Sequence, residues 1–267
     1  MASATVRGTA LVEQVIEGLE QPSNERLPRT LGGPAQPMPA AVLARLTFPD
    51  GQPLPPSLRR WLAYDASFVK LFADPANPQL KPLSFRELLR QEFGGFGGDS
   101  GWEVFDELLP GTCYLLPGGS DARRFLYVGE ADAEGEYPVM CVDTHDIPFV
   151  CVYSPGFDVW LAEMFRKLPG FNRKTYTDLF DDPGYGAAMA DQARRNFGGY
   201  RALDENGTDT THLDGNDWLE STGVGGRSRM VADIASLGGA ADDPDDEETM
   251  PGASPFTGLP SRRRNNF

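Results

Sequence analysis

The sequence predicts an α+β fold in which helices pack against a single twisted antiparallel sheet, with a disordered tail at the C-terminal end. Between residues 109 and 166, four short apolar runs rich in Val, Tyr, Phe and Cys are bounded by Gly, Pro and Asp, which is typical of strands between turns. The connections between the runs are too short for the crossover that parallel neighbours need, so consecutive strands should pair antiparallel. After the last run, the apolar spacing changes to that of a helix.

The first 51 residues are predicted to form an amphipathic helix followed by an irregular lead-in. Within residues 3–20, apolar residues recur at approximately helical intervals with glutamates between them: Val6, Leu11, Val15, Ile16 and Leu19. From residue 21 onwards, repeated Pro and Gly break helices and discourage interior strands. The sequence leaves open whether the helix packs on the following domain or stays loose.

A domain is predicted over residues 52–200, and it opens with two helices. The first begins at Pro55 and Pro56, where proline is tolerated because first-turn amides have no intrahelical partner. Its predicted buried face consists of Leu58, Trp61, Leu62, Phe68, Val69 and Phe72. The second helix begins at Ser84, which has the spacing of a capping box with Glu87, and ends at the glycine-rich run 94–101.

Four strands and two further helices complete the predicted domain. The strands are predicted over residues 113–116, 124–128, 137–143 and 149–154. A closing helix follows Gly156, with its apolar residues at helical spacing: Phe157, Trp160, Leu161, Met164 and Phe165. The last helix is predicted near residues 186–197. Residues 201–267 are then polar and acidic, and we predict a largely disordered tail because they cannot bury enough apolar area to offset their chain entropy.

The charge and the cysteines limit the classes of function. The formal net charge is −15, from 39 acidic and 24 basic residues, and nucleic-acid binding depends on neutralising phosphates with Lys and Arg. Nucleic acid is therefore not an expected partner, whereas the same field would speed the encounter with a basic protein. Cys113, Cys141 and Cys151 are odd in number and lack CxxC spacing, so they are predicted to be buried thiols in a reducing compartment.

The sequence also predicts a cytoplasmic protein that does not associate with membranes. The N-terminal residues lack an apolar signal region, and no run of 18 residues is entirely apolar.

The residue patterns do not predict an enzyme, a metal site or a cofactor site. Cys141, Asp143 and His145 alternate along one strand, but side chains two residues apart on a strand stand about 6.6 Å apart, too far to share one ion or form a nucleophile–base pair without a bend. The glycine run lacks the Lys and Ser/Thr of a phosphate-binding loop, and residues 204–217 do not fit a calcium-binding loop. An unrecognised hydrolase that depends on Asp143 or His145 remains an alternative.

Carboxylates are the best candidates for contact with a partner. Four of them fill one hairpin loop, and three lie at strand or helix ends, where they could be solvated charges or could pair with Arg and Lys of a basic protein. The predicted partner-binding set is Glu130, Asp132, Glu134, Glu136, Asp143, Asp146 and Asp158.

Three groups of residues resemble the SMI1/KNR4 (SUKH) superfamily over roughly residues 52–168. They are Leu54, Pro55, Leu58, Trp61 and Leu62 in the first helix, Gly129, Gly135 and Tyr137 around the central hairpin, and Phe157, Trp160 and Leu161 in the closing helix. The resemblance implies an initial helix that opens with Leu-Pro, a twisted antiparallel sheet and a closing helix. The segments on either side go beyond a minimal domain of that superfamily.

The same resemblance implies a function. Bacterial members are mostly immunity proteins that bind and neutralise a cognate toxin, often a nuclease or deaminase, without catalysis of their own. We therefore expect a basic protein toxin as the partner. The fungal members suggest the alternative of a regulatory or scaffold adaptor, with the tail as its docking element.

Overall fold

The computed structural model describes residues 5–20, 34–69, 82–93, 101–118, 122–144, 148–168, 171 and 173–210. Within these ranges, five strands follow one another in sheet order: β1 (Thr112–Leu115), β2 (Ala122–Val128), β3 (Val139–Asp143), β4 (Phe149–Ser154) and β5 (Ala202–Asp204). Each strand pairs antiparallel with the next. The predicted α+β fold with one antiparallel sheet is confirmed, and the tail predicted from residue 201 lies outside the described residues from residue 211 onwards.

Helices precede, follow and cover this sheet. They are α1 (Gly8–Glu20), α2 (Ala40–Leu43), α3 (Pro56–Tyr64), α4 (Phe85–Phe93), α5 (Val104–Leu108), α6 (Phe157–Met164) and α7 (Gly186–Asn196), with a short 3₁₀ helix at Asp178–Phe180.

Both faces of the sheet are covered by other elements. Phe125 of β2 contacts Phe85 of α4, with ring centroids 5.8 Å apart. The adjacent residue Leu126 pairs with Tyr114 of β1, whose ring lies 4.9 Å from that of Phe48 on the opposite face. All six residues of β4 are consequently buried, so this strand has the continuous apolar sequence of a two-sided interior strand instead of an alternating one.

The N-terminal helix packs on the domain, which settles the question that the sequence left open. α1 lies against α3 and α6 and buries Leu11, Val12, Val15 and Ile16. Arg60 of α3 donates to both carboxylate oxygens of Glu13, at 2.5 and 2.7 Å. Residues 8–20 therefore belong to the folded unit.

The first predicted helix is shorter than expected. α3 ends at Tyr64, and Asp65 is extended because its Oδ1 accepts hydrogen bonds from the backbone N–H and the hydroxyl of Ser67, at 2.8 and 2.6 Å. Such local side-chain bonds compete with helix continuation. Phe68 and Val69 are nevertheless buried, and Phe72 lies outside the described residues.

The predicted Ser84–Glu87 capping box at the start of α4 is confirmed. Ser84 N–H donates to Glu87 Oε2 at 2.8 Å, and Glu87 N–H donates to Ser84 Oγ at 3.2 Å.

The predicted domain boundary at residue 200 is too early. Ala202 and Leu203 are buried and pair with Cys151 and Val150 of β4, so the sheet includes a strand that was assigned to the tail. The polar composition after Tyr200 concealed it, because a three-residue strand carries almost no periodicity.

The three cysteines are buried free thiols, as the sequence predicted. None of the described helices has the length and apolar character needed to cross a membrane.

Candidate functional site

The acidic hairpin between β2 and β3 divides into exposed and buried carboxylates. The side chain of Glu130 is 62% exposed, and Glu134 is also exposed. Asp132 is largely shielded, and Glu136 is fully buried. Asp132 Oδ1 accepts the N–H groups of Glu134 and Glu136, each at 2.9 Å, so it shapes the turn.

The Glu136 carboxylate contacts the N-terminus of α3. Its Oε1 accepts the backbone N–H of Ser57 at 2.9 Å, and its Oε2 accepts the Ser57 hydroxyl at 2.5 Å. Ser57 N–H is one of the first-turn amides that a helix cannot satisfy internally, and a carboxylate at this end is favoured by the helix dipole. Glu136 therefore fixes α3 to the hairpin.

Asp158 plays the same part for α1. This fully buried residue of α6 accepts the N–H of Gly8, the first residue of α1, at 2.6 Å and Arg7 Nε at 2.7 Å, both on Oδ2. Arg7 Nη2 also contacts Asp132 Oδ2 at 3.3 Å. One arginine thus joins the α1 terminus, the hairpin and α6.

Gly156 lies in the middle of this buried carboxylate cluster, which we define as Glu136, Asp158, Asp132, Arg7 and Ser57. A Cβ at residue 156 would lie 2.5 Å from Asp158 Oδ1, 2.9 Å from Glu136 Cβ and 3.2 Å from Arg7 Nη2. The three groups therefore crowd around one point, where only glycine fits.

α7 supports the cluster from another side. Gln192 Nε2 donates to the carbonyl oxygens of Glu136 and Pro155, each at 2.9 Å. Asn196 accepts Glu130 N–H at 2.7 Å and donates to Glu130 O at 2.9 Å. These amides satisfy backbone groups at both ends of the hairpin.

Burial raises the pKa of Glu136 to about 8, and the charge of Asp158 acts in the same direction, against the Ser57 hydrogen bonds and Arg7. For Arg7, burial lowers the pKa, but the neighbouring carboxylates, led by Asp158, outweigh it and the pKa is raised. A carboxyl with a pKa near 8 could exchange a proton near neutral pH. The contacts of the cluster, however, join α1, α3, α6 and the hairpin, so its role is to stabilise the fold.

The prediction of a single partner-binding acidic set is wrong for two of its members. Glu136 and Asp158 are fully buried and cannot contact a partner from within the cluster. Asp132 is mostly shielded by its ion pair with Arg7. Asp143 ends β3 and is half-buried, while Asp146 and His145 lie outside the described residues. Glu130 and Glu134 remain on the surface.

Sequence reasoning missed Arg7, Ser57, Gln192 and Asn196. One sequence feature could have indicated Arg7, because it precedes a helix in which every charged residue is a glutamate. The others contact the cluster only through folding of distant segments. Within the described ranges, no group of three or more His, Cys, Asp or Glu residues could hold a metal ion.

The arginines of the described chain are largely engaged within the molecule. Arg59 donates to the carbonyl oxygens of Leu43 and Leu46, and Arg124 stacks 4.9 Å over the Tyr153 ring. Eight more form ion pairs: Arg7, Arg60, Arg86, Arg123, Arg173, Arg194, Arg195 and Arg201. In contrast, Glu17, Glu107 and Glu134 are exposed and form no ion pair with any other described residue.

Comparisons with known proteins leave the family open. No protein-family model matches the sequence, and no curated protein matches it. The crystal structure of an uncharacterized protein from Salmonella enterica subsp. enterica serovar typhimurium str. 14028s is similar over 80% of this chain and 98% of that chain, with 19% sequence identity and a TM-score of 0.46.

Proposed function

We propose that the protein is a non-enzymatic immunity protein that binds a basic protein toxin, a nuclease or a deaminase, and neutralises it by covering its active surface. One observation carries the proposal: most of the described arginines are engaged within the molecule, whereas exposed glutamates such as Glu107 and Glu134 have no counter-ion among the described residues. This surface is chemically complementary to a cationic partner.

The chemistry of such toxins fits this surface. An enzyme that acts on nucleic acid must neutralise phosphates with Lys and Arg, so its substrate-binding face is basic. An anionic protein is steered towards that face, and carboxylates can replace the phosphates in charge-assisted hydrogen bonds. Binding there would exclude the substrate without any chemistry by the immunity protein.

The resemblance to the SMI1/KNR4 superfamily supports the same function, and so does the agreement between the observed antiparallel sheet and the sheet that the resemblance implies. We propose a cytoplasmic location, because a nuclease or deaminase toxin acts where nucleic acid is. Neither a cofactor nor a metal is part of this function.

Co-expression tests the proposal. The gene beside this one that encodes a toxin-like protein is expressed in a host with and without this protein, and growth is followed. We expect growth to be rescued and the two proteins to co-purify. Toxicity that persists at full expression of this protein, together with the absence of a complex, would overturn the proposal.

A regulatory adaptor is the second candidate, favoured by the long acidic segment 211–267, which contains ten of the 39 acidic residues. An adaptor that docks through this segment would lose its partner when the segment is removed. The immunity function predicts instead that a chain ending after residue 210 still rescues growth.

A further inference from the structure

Two large apolar side chains stand out on the surface of the described chain. Val104 is 40% exposed and Tyr200 is 41% exposed. Leu108 lies one helical turn after Val104 on the same face of α5 and is half-buried. A Cβ on Gly198 would lie 3.1 Å from Tyr200 Cε2 and 3.5 Å from Leu108 Cδ1, so these two side chains adjoin the same point. Val104, Leu108 and Tyr200 thus lie next to one another, and we call these three side chains the apolar strip.

The strip is held on a rigid base. Phe105, between Val104 and Leu108, is fully buried and contacts Phe85 at 5.3 Å and Phe197 at 6.3 Å between ring centroids. Gly198 and Gly199 follow α7 with φ angles of 60° and 87°, which L side chains rarely adopt, and this turn directs the chain to Tyr200. A preformed surface loses little conformational entropy when it binds.

Three carboxylates lie near the strip. Glu103, next to Val104, is 58% exposed, and Glu107, next to Leu108, is exposed. Glu205 lies beside Gly101, three residues before Val104, since its Cγ is 3.1 Å from the position of a Cβ on Gly101. Neither Glu107 nor Glu205 forms an ion pair with another residue of the described ranges.

The nearby arginines neutralise this rim only in part. Arg86 pairs with Asp106 at 2.6 Å, and its contact with Glu103 is only 3.9 Å. Arg201, adjacent to Tyr200, pairs with Asp181 at 3.0 Å. An exposed apolar centre therefore has an anionic edge with two unpaired glutamates.

We propose that the apolar strip, with Glu103, Glu107 and Glu205 at its edge, is the surface on which the basic partner docks; this rests on the proposed immunity function. The partner presents an apolar side chain flanked by Lys or Arg. Interfaces combine an apolar centre with a polar rim, and tyrosine is enriched among the residues that contribute most to affinity. The strip contributes most of the affinity, and the charges of the rim raise the association rate constant.

Three double variants of the full chain test the surface against the neighbouring toxin, with binding kinetics measured on a toxin-coated sensor. V104S/Y200A removes the strip, and E107K/E205K reverses the rim. The control E17K/E20K makes the same change in charge on α1, at two exposed glutamates that form no ion pair with another described residue. Thermal unfolding of each variant checks the fold. If V104S/Y200A is unstable, the single variant Tyr200→Ala tests the strip instead, because the side chain of Tyr200 is substantially exposed and its removal should not unfold the protein.

We expect V104S/Y200A to weaken binding about tenfold or more, mainly through faster dissociation. E107K/E205K should slow association several-fold at low salt and reduce its dependence on salt, whereas the control variant should bind almost as the unaltered chain does. If the unaltered chain rescues growth and the strip variants bind the toxin as well as the unaltered chain does, the proposed docking surface is wrong, but the immunity function stands. If the unaltered chain forms no complex, both proposals fall.

Discussion

The hairpin that contains Glu130, Asp132, Glu134 and Glu136 shows two opposite uses of the same chemical group. Glu130 and Glu134 are exposed to solvent, whereas Glu136 is buried and accepts two hydrogen bonds from Ser57 at the start of α3. Asp158 in α6 belongs with Glu136, because it receives Arg7 and Gly8 N–H at the start of α1. The buried acids hold α1 and α3 in place, whereas of the two exposed acids Glu130 pairs with Arg195 on the surface and Glu134 has no ion-pair partner among the described residues.

The difference teaches that acidic composition alone does not define a binding surface. Exposed ion pairs contribute on the order of 0–1 kcal/mol, whereas removing one partner of a buried pair costs about 3–5 kcal/mol because a charge is left uncompensated. The two sets should therefore respond to substitution in separate assays, stability for one and binding for the other.

The largest expected effect is at Asp158. Asp158→Asn removes the charge that compensates Arg7 and weakens the acceptor for Gly8 N–H, so the free energy of unfolding should fall by about 3 kcal/mol or more. Urea unfolding at neutral pH measures it. A loss below about 1 kcal/mol would show that Arg7 does not depend on Asp158 and would contradict the account of the cluster.

Gly156→Ala should have the next largest effect. The added Cβ would lie 2.5 Å from Asp158 Oδ1 and 2.9 Å from Glu136 Cβ, and overpacking of this kind costs about 1–3 kcal/mol. Gly51→Ala is a comparison in open space, since nothing lies within 4 Å of its added Cβ, although its φ of 84° adds backbone strain. Equal stability of the G156A variant and the unaltered chain would contradict the crowding described here.

Much of the fold was predictable from the sequence, and the cluster was not. Strand runs and helical spacing are local patterns, so β1 to β4, α4, α6 and α7 could be placed within a few residues. The end of α3 at Tyr64 was missed because the apolar pattern continues to Phe68 and Val69. The hydrogen bonds that the Asp65 carboxylate accepts from Ser67 end the helix in spite of this pattern. Glu136 and Asp158 were assigned to the surface because their burial depends on Arg7 and Ser57, which are distant in sequence.

A dependence of stability on pH is expected at Glu136. Its pKa is raised to about 8 in the folded protein, so the folded state binds this proton more tightly than the unfolded state. The stabilisation is complete below the unfolded pKa, near 4.5, and is lost as pH rises through about 8. The slope cannot exceed about 1.4 kcal/mol per pH unit for one group.

Glu136→Gln isolates this contribution. The glutamine can accept Ser57 N–H and donate to Ser57 Oγ, so the contacts persist while the titration is removed. The free energy of unfolding of the unaltered chain, minus that of E136Q, should fall between about pH 5 and pH 8. Parallel pH profiles for the two proteins would show that Glu136 titrates at the same pKa folded and unfolded.

The smallest effect on stability is expected at Glu134, which is exposed and has no ion-pair partner within the described ranges. Glu134→Lys should change the free energy of unfolding by no more than about 0.5 kcal/mol. It should slow toxin association modestly at low salt, with the difference disappearing at high salt as the charges are screened. If Glu134→Lys destabilised the protein as much as Asp158→Asn does, the distinction between exposed and buried acids would be contradicted.

The central claim, that the exposed carboxylates serve a basic partner, is tested most directly by the association rate constant of the unaltered chain with the toxin as salt concentration is raised. The account predicts a steep fall, because electrostatic steering accounts for most of the rate above the neutral value of about 10⁵–10⁶ M⁻¹s⁻¹. A rate constant that does not change with salt would contradict the claim, even if the two proteins form a stable complex.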